Sequence, residues 1–173
     1  MSDFMENGII IRPAGAEDIP TIHLLAHQIW PKTYGNLMSA DRLQYMLQLI
    51  YDPASLEKQM QQQGHVFLLA EIDHTPAGFA SFSATNETGV YKLHKIYIST
   101  GIQGKGLGKT LLNAVIEEIK RLQATALRLN VKRDNMAIAF YEKQGFAIIK
   151  EEDIDIGNGY FMNDYVMEKK LSI

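Results

Sequence analysis

Near the middle of this sequence, a short apolar run leads through a glycine-rich turn into a long amphipathic segment, and this unit limits the folds open to the chain. Residues 93–98 read as a strand, and the turn over residues 103–110 has glycine at positions 104, 106 and 108. Residues 107–122 then keep apolar side chains on one helical face. Glycine lets a backbone curl closely around a ligand, and free amides at a helix N-terminus attract anions. The unit therefore predicts a phosphate-binding turn between a strand and a helix.

Two common phosphate-binding patterns do not fit this turn. The dinucleotide pattern G-x-G-x-x-G needs glycine where Lys109 or Leu111 stands. The Walker pattern G-x-x-x-x-G-K-[ST] fails only at its first position, where Gln103 replaces glycine. A nucleotide-binding protein that uses Lys109 and Thr110 stays open as an alternative, although no predicted strand clearly ends in the acid that would hold magnesium.

The rest of the chain alternates between strand and helix patterns. Ser39 and Asp52 precede two helical patterns, and a further helix is expected to end or kink at Pro31. The predicted strands are residues 8–12, 66–70, 77–83, 91–99, 126–131, 146–149 and 161–167. A short helix is predicted over residues 135–144, and the acidic run at residues 151–155 reads as a solvated loop. This order indicates an α/β (α+β) protein.

Composition narrows the classes of function. The 173 residues are 46% hydrophobic and 21% charged, which suits one domain over residues 1–173. The predicted elements give this domain a core at about 8–171. A net charge of −3 argues against nucleic acid as a partner, and the absence of cysteine excludes disulfides and thiolate chemistry. Residues 1–7 show no signal pattern and no apolar run could span a bilayer, so we expect a cytoplasmic protein without membrane contact. His23 and His27 lack a metal-binding context, so no metal is predicted.

Two segments together resemble the GCN5-related N-acetyltransferases. Gln103, Gly106 and Gly108 match the family's pyrophosphate-binding signature R/Q-x-x-G-x-G/A. Residues 135–146, which include Tyr141, are very similar to a second family segment that follows at the expected distance. The resemblance covers nearly the whole chain and implies a mixed sheet of about seven strands, with helices on both faces and a splay between strands four and five.

The resemblance also implies acetyl-coenzyme A (acetyl-CoA) as cosubstrate and names the residues that would bind it. The pyrophosphate would lie on the turn and the pantetheine on the preceding strand, with further contacts from the second segment. The expected binding residues are Ile96, Tyr97, Ile98, Gln103, Gly104, Lys105, Gly106, Leu107, Gly108, Lys109, Thr110, Asn135, Ala137, Tyr141 and Lys143.

Two residues are candidates for proton transfer. Tyr141 matches the family position that protonates the departing thiolate, and its phenol pKa of about 10 is near enough to the thiol value of about 8.5. His94 stands where the family often has a glutamate base, and a neutral imidazole could accept a proton. A histidine that is merely hydrogen-bonded is an equally good reading of His94, which alternation places on one face with Ile96 and Ile98.

Weaker signals concern the acceptor. Trp30 and Tyr34 stand where the family builds its acceptor pocket, although a core role for Trp30 stays open. The acidic run could hold the remote ammonium of a polyamine. Short segments at residues 56–60, 96–98 and 161–171 look like PaiA-type bacterial spermidine and spermine acetyltransferases. A polyamine is therefore the expected acceptor; peptide N-termini, aminoglycosides, a non-catalytic acyl-CoA sensor and a homodimer stay open.

Overall fold

The computed structural model describes residues 3–172, so Met1, Ser2 and Ile173 lie outside the described residues. Across these residues the strands are β1 (Phe4–Glu6), β2 (Ile9–Ala14), β3 (Val66–Ile72), β4 (Thr75–Ala84), β5 (Val90–Ile98), β6 (Ala126–Lys132), β7 (Ala147–Gly157) and β8 (Tyr160–Lys170). They form one sheet in the order β1-β2-β3-β4-β5-β6-β8-β7. Only β5 and β6 are parallel, so the predicted mixed sheet is confirmed.

Helices cover both faces of this sheet, as predicted. They are α1 (Ile19–Tyr34), α2 (Ala40–Tyr51), α3 (Pro53–Gln61), α4 (Leu107–Arg121) and α5 (Ala137–Lys143), with single 3-10 turns at Ala16–Asp18 and Thr100–Ile102. Side chains of α1, α2 and α3 form one apolar cluster with Phe67, Leu69 and Phe79. Side chains of α4 and α5 form a second cluster on the opposite face, and Leu111, Leu112, Val115 and Ile119 are its most buried helical members. None of the helices in the described range combines the length and apolar character needed to cross a membrane.

The sheet has one strand more than the sequence indicates. Residues 1–7 carry no predicted element, yet β1 pairs with β2 from Glu6 opposite Ile9 to Phe4 opposite Ile11. Asn7 and Gly8 connect the two strands with positive φ angles of 51° and 78°. Asn-Gly is a strong signal for a tight hairpin, and it explains the additional strand.

The first helix also differs from its prediction, because α1 continues past Pro31 to Tyr34. Pro31 cannot donate to the carbonyl four residues earlier, and its ring crowds that carbonyl. The residue at that position, His27, is exposed, so water can take the place of the missing donor. The helix closes with the Gly35 amide donating to the Pro31 carbonyl at 3.0 Å. The additional turn carries Tyr34 to the centre of the sheet.

The acidic run at residues 151–155 lies in a strand, and the prediction of a loop is wrong. These residues belong to β7, which pairs only with β8 and forms the edge of the sheet. Charged side chains on an edge strand discourage pairing with other chains, so an acidic composition is compatible with a strand here.

Candidate active site

The glycine-rich turn joins the end of β5 to the N-terminus of α4. Gly104 and Gly106 have φ angles of +86° and +79°, in the left-handed region that favours glycine. Gly106 is the N-cap residue of α4, and within residues 3–172 no side chain caps this end of the helix. The Thr110 amide donates to the Gly106 carbonyl at 3.0 Å, which leaves the amides of the first turn free for an anion.

A cleft of about 890 Å³ passes this turn and continues between the two helical layers. From the turn, the residues that line it are Gln103, Gly104, Gly106, Leu107, Gly108 and Lys109. Lys105 is exposed outside the cleft lining, and the Thr110 hydroxyl donates to the Gly106 carbonyl at 3.0 Å. A β-carbon built on Gly104 or Gly106 would meet nothing within 4 Å, so the space beside both residues is open.

The cleft follows an opening in the middle of the sheet. β5 and β6 pair from Val90 opposite Ala126 to Leu93 opposite Leu129. Beyond that point the two strands do not pair, although β5 continues to Ile98. The free edge of β5 therefore includes Ile96, Tyr97 and Ile98, all of which line the cleft. This is the splay predicted between the fourth and fifth strands, which are β5 and β6 in the observed numbering.

Tyr141 lies in α5 at the side of this opening. The ring packs between Phe140 and Phe146, at centroid distances of 5.3 and 5.7 Å, and only 8% of the residue is exposed. Burial raises the pKa of Tyr141 above its ordinary value, so the phenol keeps its proton at neutral pH. A protonated phenol that lines the cleft can donate to a group bound there.

The other residues of segment 135–146 that were predicted to bind acetyl-CoA lie partly in the cleft and partly on the surface. Asn135 and Ala137 line the cleft, and the Asn135 side-chain oxygen accepts the Ala137 amide at 2.8 Å, which starts α5. Lys143 is exposed at the other end of that helix and is absent from the cleft lining.

The opposite wall of the cleft, called the aromatic wall, is formed by Trp30 and Tyr34 of α1 and Tyr97 of β5. Trp30 lies 4.7 Å from Tyr34 and 5.7 Å from Tyr97 between ring centroids. The hydroxyls of Tyr34 and Tyr97 are 3.0 Å apart. All three residues line the cleft, while Trp30 and Tyr34 also belong to the buried cluster of α1–α3. Trp30 is therefore both a core residue and a lining residue of the cleft, the two roles that the sequence left open.

His94 contacts the α1–α3 side of the sheet. Its Nε2 atom lies 2.7 Å from the Ser83 hydroxyl, and its ring stacks on His65 with centroids 3.9 Å apart. Burial, followed by the charge of His65, lowers the pKa of His94 to about 3. The imidazole is therefore neutral at pH 7 and a weak base, and its role in proton transfer stays a prediction.

A β-bulge explains the orientation of His94. Ser81 pairs with Lys95 and Phe82 pairs with Leu93, so His94 is the additional residue of the bulge. Ile96 and Ile98 pack against the α4 cluster on the other face of the sheet. The expectation that His94 shares a face with these two isoleucines is therefore wrong, because the bulge interrupts the alternation.

Lys95 is a cleft residue that the sequence analysis missed. It is 7% exposed, its ammonium donates to the Gln59 side-chain oxygen at 2.6 Å, and it lies over the rings of Tyr51 and Phe67. Burial lowers the pKa of Lys95 to about 7. The residues around Lys95 in the sequence do not indicate that it is buried. The groups that enclose it come from α2, α3 and β3, which are distant in sequence.

Asn130 and Asp164 were also missed, and both line the cleft. Asp164 is 1% exposed and Asn130 donates to its carboxylate at 3.3 Å. Burial raises the pKa of Asp164 above its ordinary value. Alternation in the closing strand could have marked Asp164 as inward-facing, since Val166 and Met162 share its parity.

The histidine pair of α1 does not form a metal site in this structure. The rings of His23 and His27 lie 4.3 Å apart between centroids, and the His23 Nδ1 atom is 2.7 Å from the Tyr51 carbonyl. Over residues 3–172 there is no group of three or more histidine, aspartate or glutamate side chains arranged to hold a metal ion.

Comparison with known proteins identifies the family. Residues 36–169 match the model of the acetyltransferase (GNAT) domain. A spermidine N(1)-acetyltransferase of Thermoplasma acidophilum is 29% identical over 94% of this chain and 97% of its own length. A spermine/spermidine N(1)-acetyltransferase of Bacillus subtilis is 32% identical over 54% of this chain and 58% of its own length.

A solved structure agrees with these sequences. The PaiA N-acetyltransferase of Thermoplasma acidophilum, in complex with coenzyme A, superposes with a TM-score of 0.80 and 28% identity, over 96% of this chain and 100% of that one. These relatives support the enzymatic prediction over the sensor and the nucleotide-binding alternatives. The chain belongs to the GNAT family and is an acetyltransferase that uses acetyl-CoA as cosubstrate to acetylate an amine.

Proposed function

We propose that the acceptor is a polyamine, such as spermidine or spermine, which is acetylated on a primary amine. The observation that carries this proposal is the similarity, over nearly the full length of both chains, to the Thermoplasma acidophilum spermidine enzyme. The cleft supports it, because one continuous space joins the glycine-rich turn, the open edge of β5 and the aromatic wall. That space has the size of a typical small-molecule site, about 300 to 1,000 Å³.

The proposed binding mode of acetyl-CoA follows the chemistry of its parts. The pyrophosphate would accept hydrogen bonds from the free amides between Gln103 and Thr110, near Lys105 and Lys109. The amides of the pantetheine arm would pair with the open backbone edge at Ile96 to Ile98, as an added strand does. In this binding mode the thioester reaches the opening between β5 and β6 beside Tyr141.

Acetyl transfer then needs two proton movements. The attacking amine must lose a proton, because an alkylammonium has a pKa near the lysine value of about 10.4. The predicted acceptor of this proton is either His94 or a chain of water molecules, and the pKa of about 3 makes His94 the weaker base. The departing sulfur gains a proton or a hydrogen bond from the Tyr141 phenol. No covalent intermediate on the protein is required, since the two substrates react directly once the cleft holds them together.

The aromatic wall suits a flexible aliphatic cation. Trp30 and Tyr34 offer ring faces to methylene groups and to a positive charge. The hydrogen bond between the hydroxyls of Tyr34 and Tyr97 fixes the orientation of those two rings. A long alkylamine could therefore lie along the wall with one end at the thioester.

The first test is release of free coenzyme A from acetyl-CoA in the presence of spermidine, spermine, simple diamines, peptides or aminoglycosides. We expect release with the polyamines and a matching mass increase of one acetyl group on the amine. Release with peptides or aminoglycosides, and none with polyamines, would contradict the proposed acceptor class.

A second test concerns Tyr141. Tyr141→Phe should lower kcat about 10- to 100-fold and change the affinity for coenzyme A by about twofold or less. The matched control is Tyr160→Phe, because Tyr160 packs on Tyr45 outside the cleft lining. Equal kcat in Tyr141→Phe and the wild type would remove Tyr141 from the chemistry.

A third test concerns His94. His94→Gln can keep a hydrogen bond to Ser83 and should lower kcat/KM for spermidine about tenfold. His27→Gln, on the exposed side of α1, is the control. An unchanged kcat/KM in His94→Gln would show that the histidine has only a structural role.

A further inference from the structure

The cleft contains a carboxylate that the proposed chemistry does not use. Asp164 lies on β8, opposite Lys132 of β6, and only 1% of it is exposed. Its neighbour of the same parity, Met162, packs against the α1–α3 cluster, so Asp164 lies on the face of the sheet that carries the aromatic wall. Asn130 accompanies it in the cleft lining.

The partners of this carboxylate are few. Asn130 donates to Asp164 Oδ2 at 3.3 Å, and the same side-chain nitrogen donates to Glu152 at 3.0 Å. No ion pair to the Asp164 carboxylate occurs among the described residues. Arg133 is near, but it donates to the Asp164 backbone carbonyl and pairs through its guanidinium with Asp153.

A second buried carboxylate shows what full pairing looks like in this chain. Asp18 is 7% exposed, and both of its oxygens accept from the Arg12 guanidinium, at 2.8 and 3.1 Å. The Gly15 amide adds a third hydrogen bond. Buried charges are normally paired in this way, because an unpaired charge loses its hydration without compensation. Within the described part of the chain, the Asp164 carboxylate accepts one long hydrogen bond, whereas that of Asp18 accepts three.

The surroundings of Asp164 favour a cation in the cleft. Lys92 on β5 lines the cleft and lies within electrostatic range of Asp164, but it forms no ion pair with that carboxylate. Glu152 on β7 adds a second negative charge behind Asn130. An alkylammonium has three N–H donors, which are the partners that a buried carboxylate lacks.

We propose that Asp164 binds a charged nitrogen of the acceptor amine and thereby selects cationic alkylamines. The inference rests on the proposed polyamine acceptor and adds to it the residue that recognises the charge. Asn130 acts as a positioning residue, because its amide fixes the carboxylate between β6 and β8. The aromatic wall then contacts the methylene groups while Asp164 contacts the charge.

The test is Asp164→Asn, which keeps the shape of the side chain and removes its charge. KM for spermidine should rise about 10- to 100-fold, because a hydrogen bond to a charged group is lost, while KM for acetyl-CoA changes about twofold or less. Asp164→Glu, which restores the charge, should recover most of the affinity. Glu168→Gln is the matched control, because Glu168 lies on the same strand, pairs with Arg128 and is absent from the cleft lining.

A binding measurement covers the case in which a variant folds poorly. An N-permethylated spermidine, in which every nitrogen is tertiary, cannot be acetylated but keeps the three positive charges, and it should compete with spermidine on the wild type about 10-fold better than a diol of equal length. Equal competition by the diol would overturn the proposal. So would an unchanged KM for spermidine in a folded Asp164→Asn variant, whereas a wild type that acetylates no polyamine would overturn the proposed function itself.

Discussion

The two walls of the cleft are built in opposite ways. The wall at the glycine-rich turn comes from one continuous segment, residues 103–109 without Lys105. It is largely exposed and offers backbone amides. The other side of the cleft, called the acceptor wall, combines the aromatic wall with buried side chains of β5, β6 and β8 that the sheet brings together. The first wall depends on local backbone conformation, and the second depends on the packing of the whole domain. A substitution should therefore affect coenzyme A binding through φ angles in one wall and acceptor binding through burial and charge in the other.

The largest effect that separates the walls is expected from Gly106→Val. A β-branched residue at a φ of +79° costs about 1–3 kcal/mol, and the turn would relax away from the helix N-terminus. Affinity for coenzyme A, measured by calorimetry, should fall about 10- to 100-fold. Gly101→Val is the control, because Gly101 has an ordinary φ and nothing within 4 Å of a built β-carbon. Equal losses in both variants would contradict the conformational explanation.

A smaller effect should link the acceptor wall to folding through Lys95. Its pKa is about 7 in the folded chain against an ordinary 10.5, so between these values the unfolded chain binds a proton that the folded chain does not. The free energy of unfolding therefore rises with pH across this window, and the cost of burying the ammonium is greatest below pH 7. From pH 9 to pH 7, the stability of Lys95→Met relative to wild type should increase by about 2 kcal/mol.

Urea denaturation at the two pH values measures this change. Lys109→Met is the control in the exposed wall, and its stability relative to wild type should stay constant between the two pH values. A constant difference for Lys95→Met as well would mean that Lys95 stays charged in the folded protein.

The smallest effect is expected from Tyr34→Phe, which removes the hydroxyl pair with Tyr97 and leaves the ring in place. KM for the polyamine should rise about 3- to 10-fold, and KM for acetyl-CoA should change little. Tyr45→Phe loses a phenol hydrogen bond of 2.8 Å outside the cleft lining and is the matched control. A larger change in the KM for acetyl-CoA than in the KM for the polyamine would contradict the assignment of Tyr34 to acceptor binding.

The difference between the walls also explains what the sequence could predict. The turn and α4 follow from patterns within one continuous segment, and the structure has them where the sequence places them. The open edge of β5 was expected from the family resemblance, and β5 and β6 separate beyond Leu93 and Leu129. Lys95 and Asp164 were missed because their neighbours lie on other elements: Gln59 is 36 residues from Lys95, and Asn130 is 34 residues from Asp164. No local pattern encodes such contacts.

Sequence patterns gave wrong local predictions at a bulge, at a turn and in an edge strand. A bulge at His94 reverses the face on which this side chain lies, although the residues around it alternate regularly. The Asn7–Gly8 pair is a local hairpin signal, and it is sufficient to predict β1 before β2. The acidic part of β7 reads as a loop because charge is a poor guide to structure on an edge strand.

The opening between β5 and β6 gives this protein an unpaired strand edge in the middle of its sheet. Such edges are hazards at the margin of a sheet, because they can recruit another chain. Here, with pantetheine in its proposed position, acetyl-CoA would act as a missing strand, and the sheet would be continuous only while the cosubstrate is bound. A ligand at about 100 times its Kd adds about 2.7 kcal/mol to the folded state. The supply of acetyl-CoA would then set the lifetime of the enzyme as well as its rate.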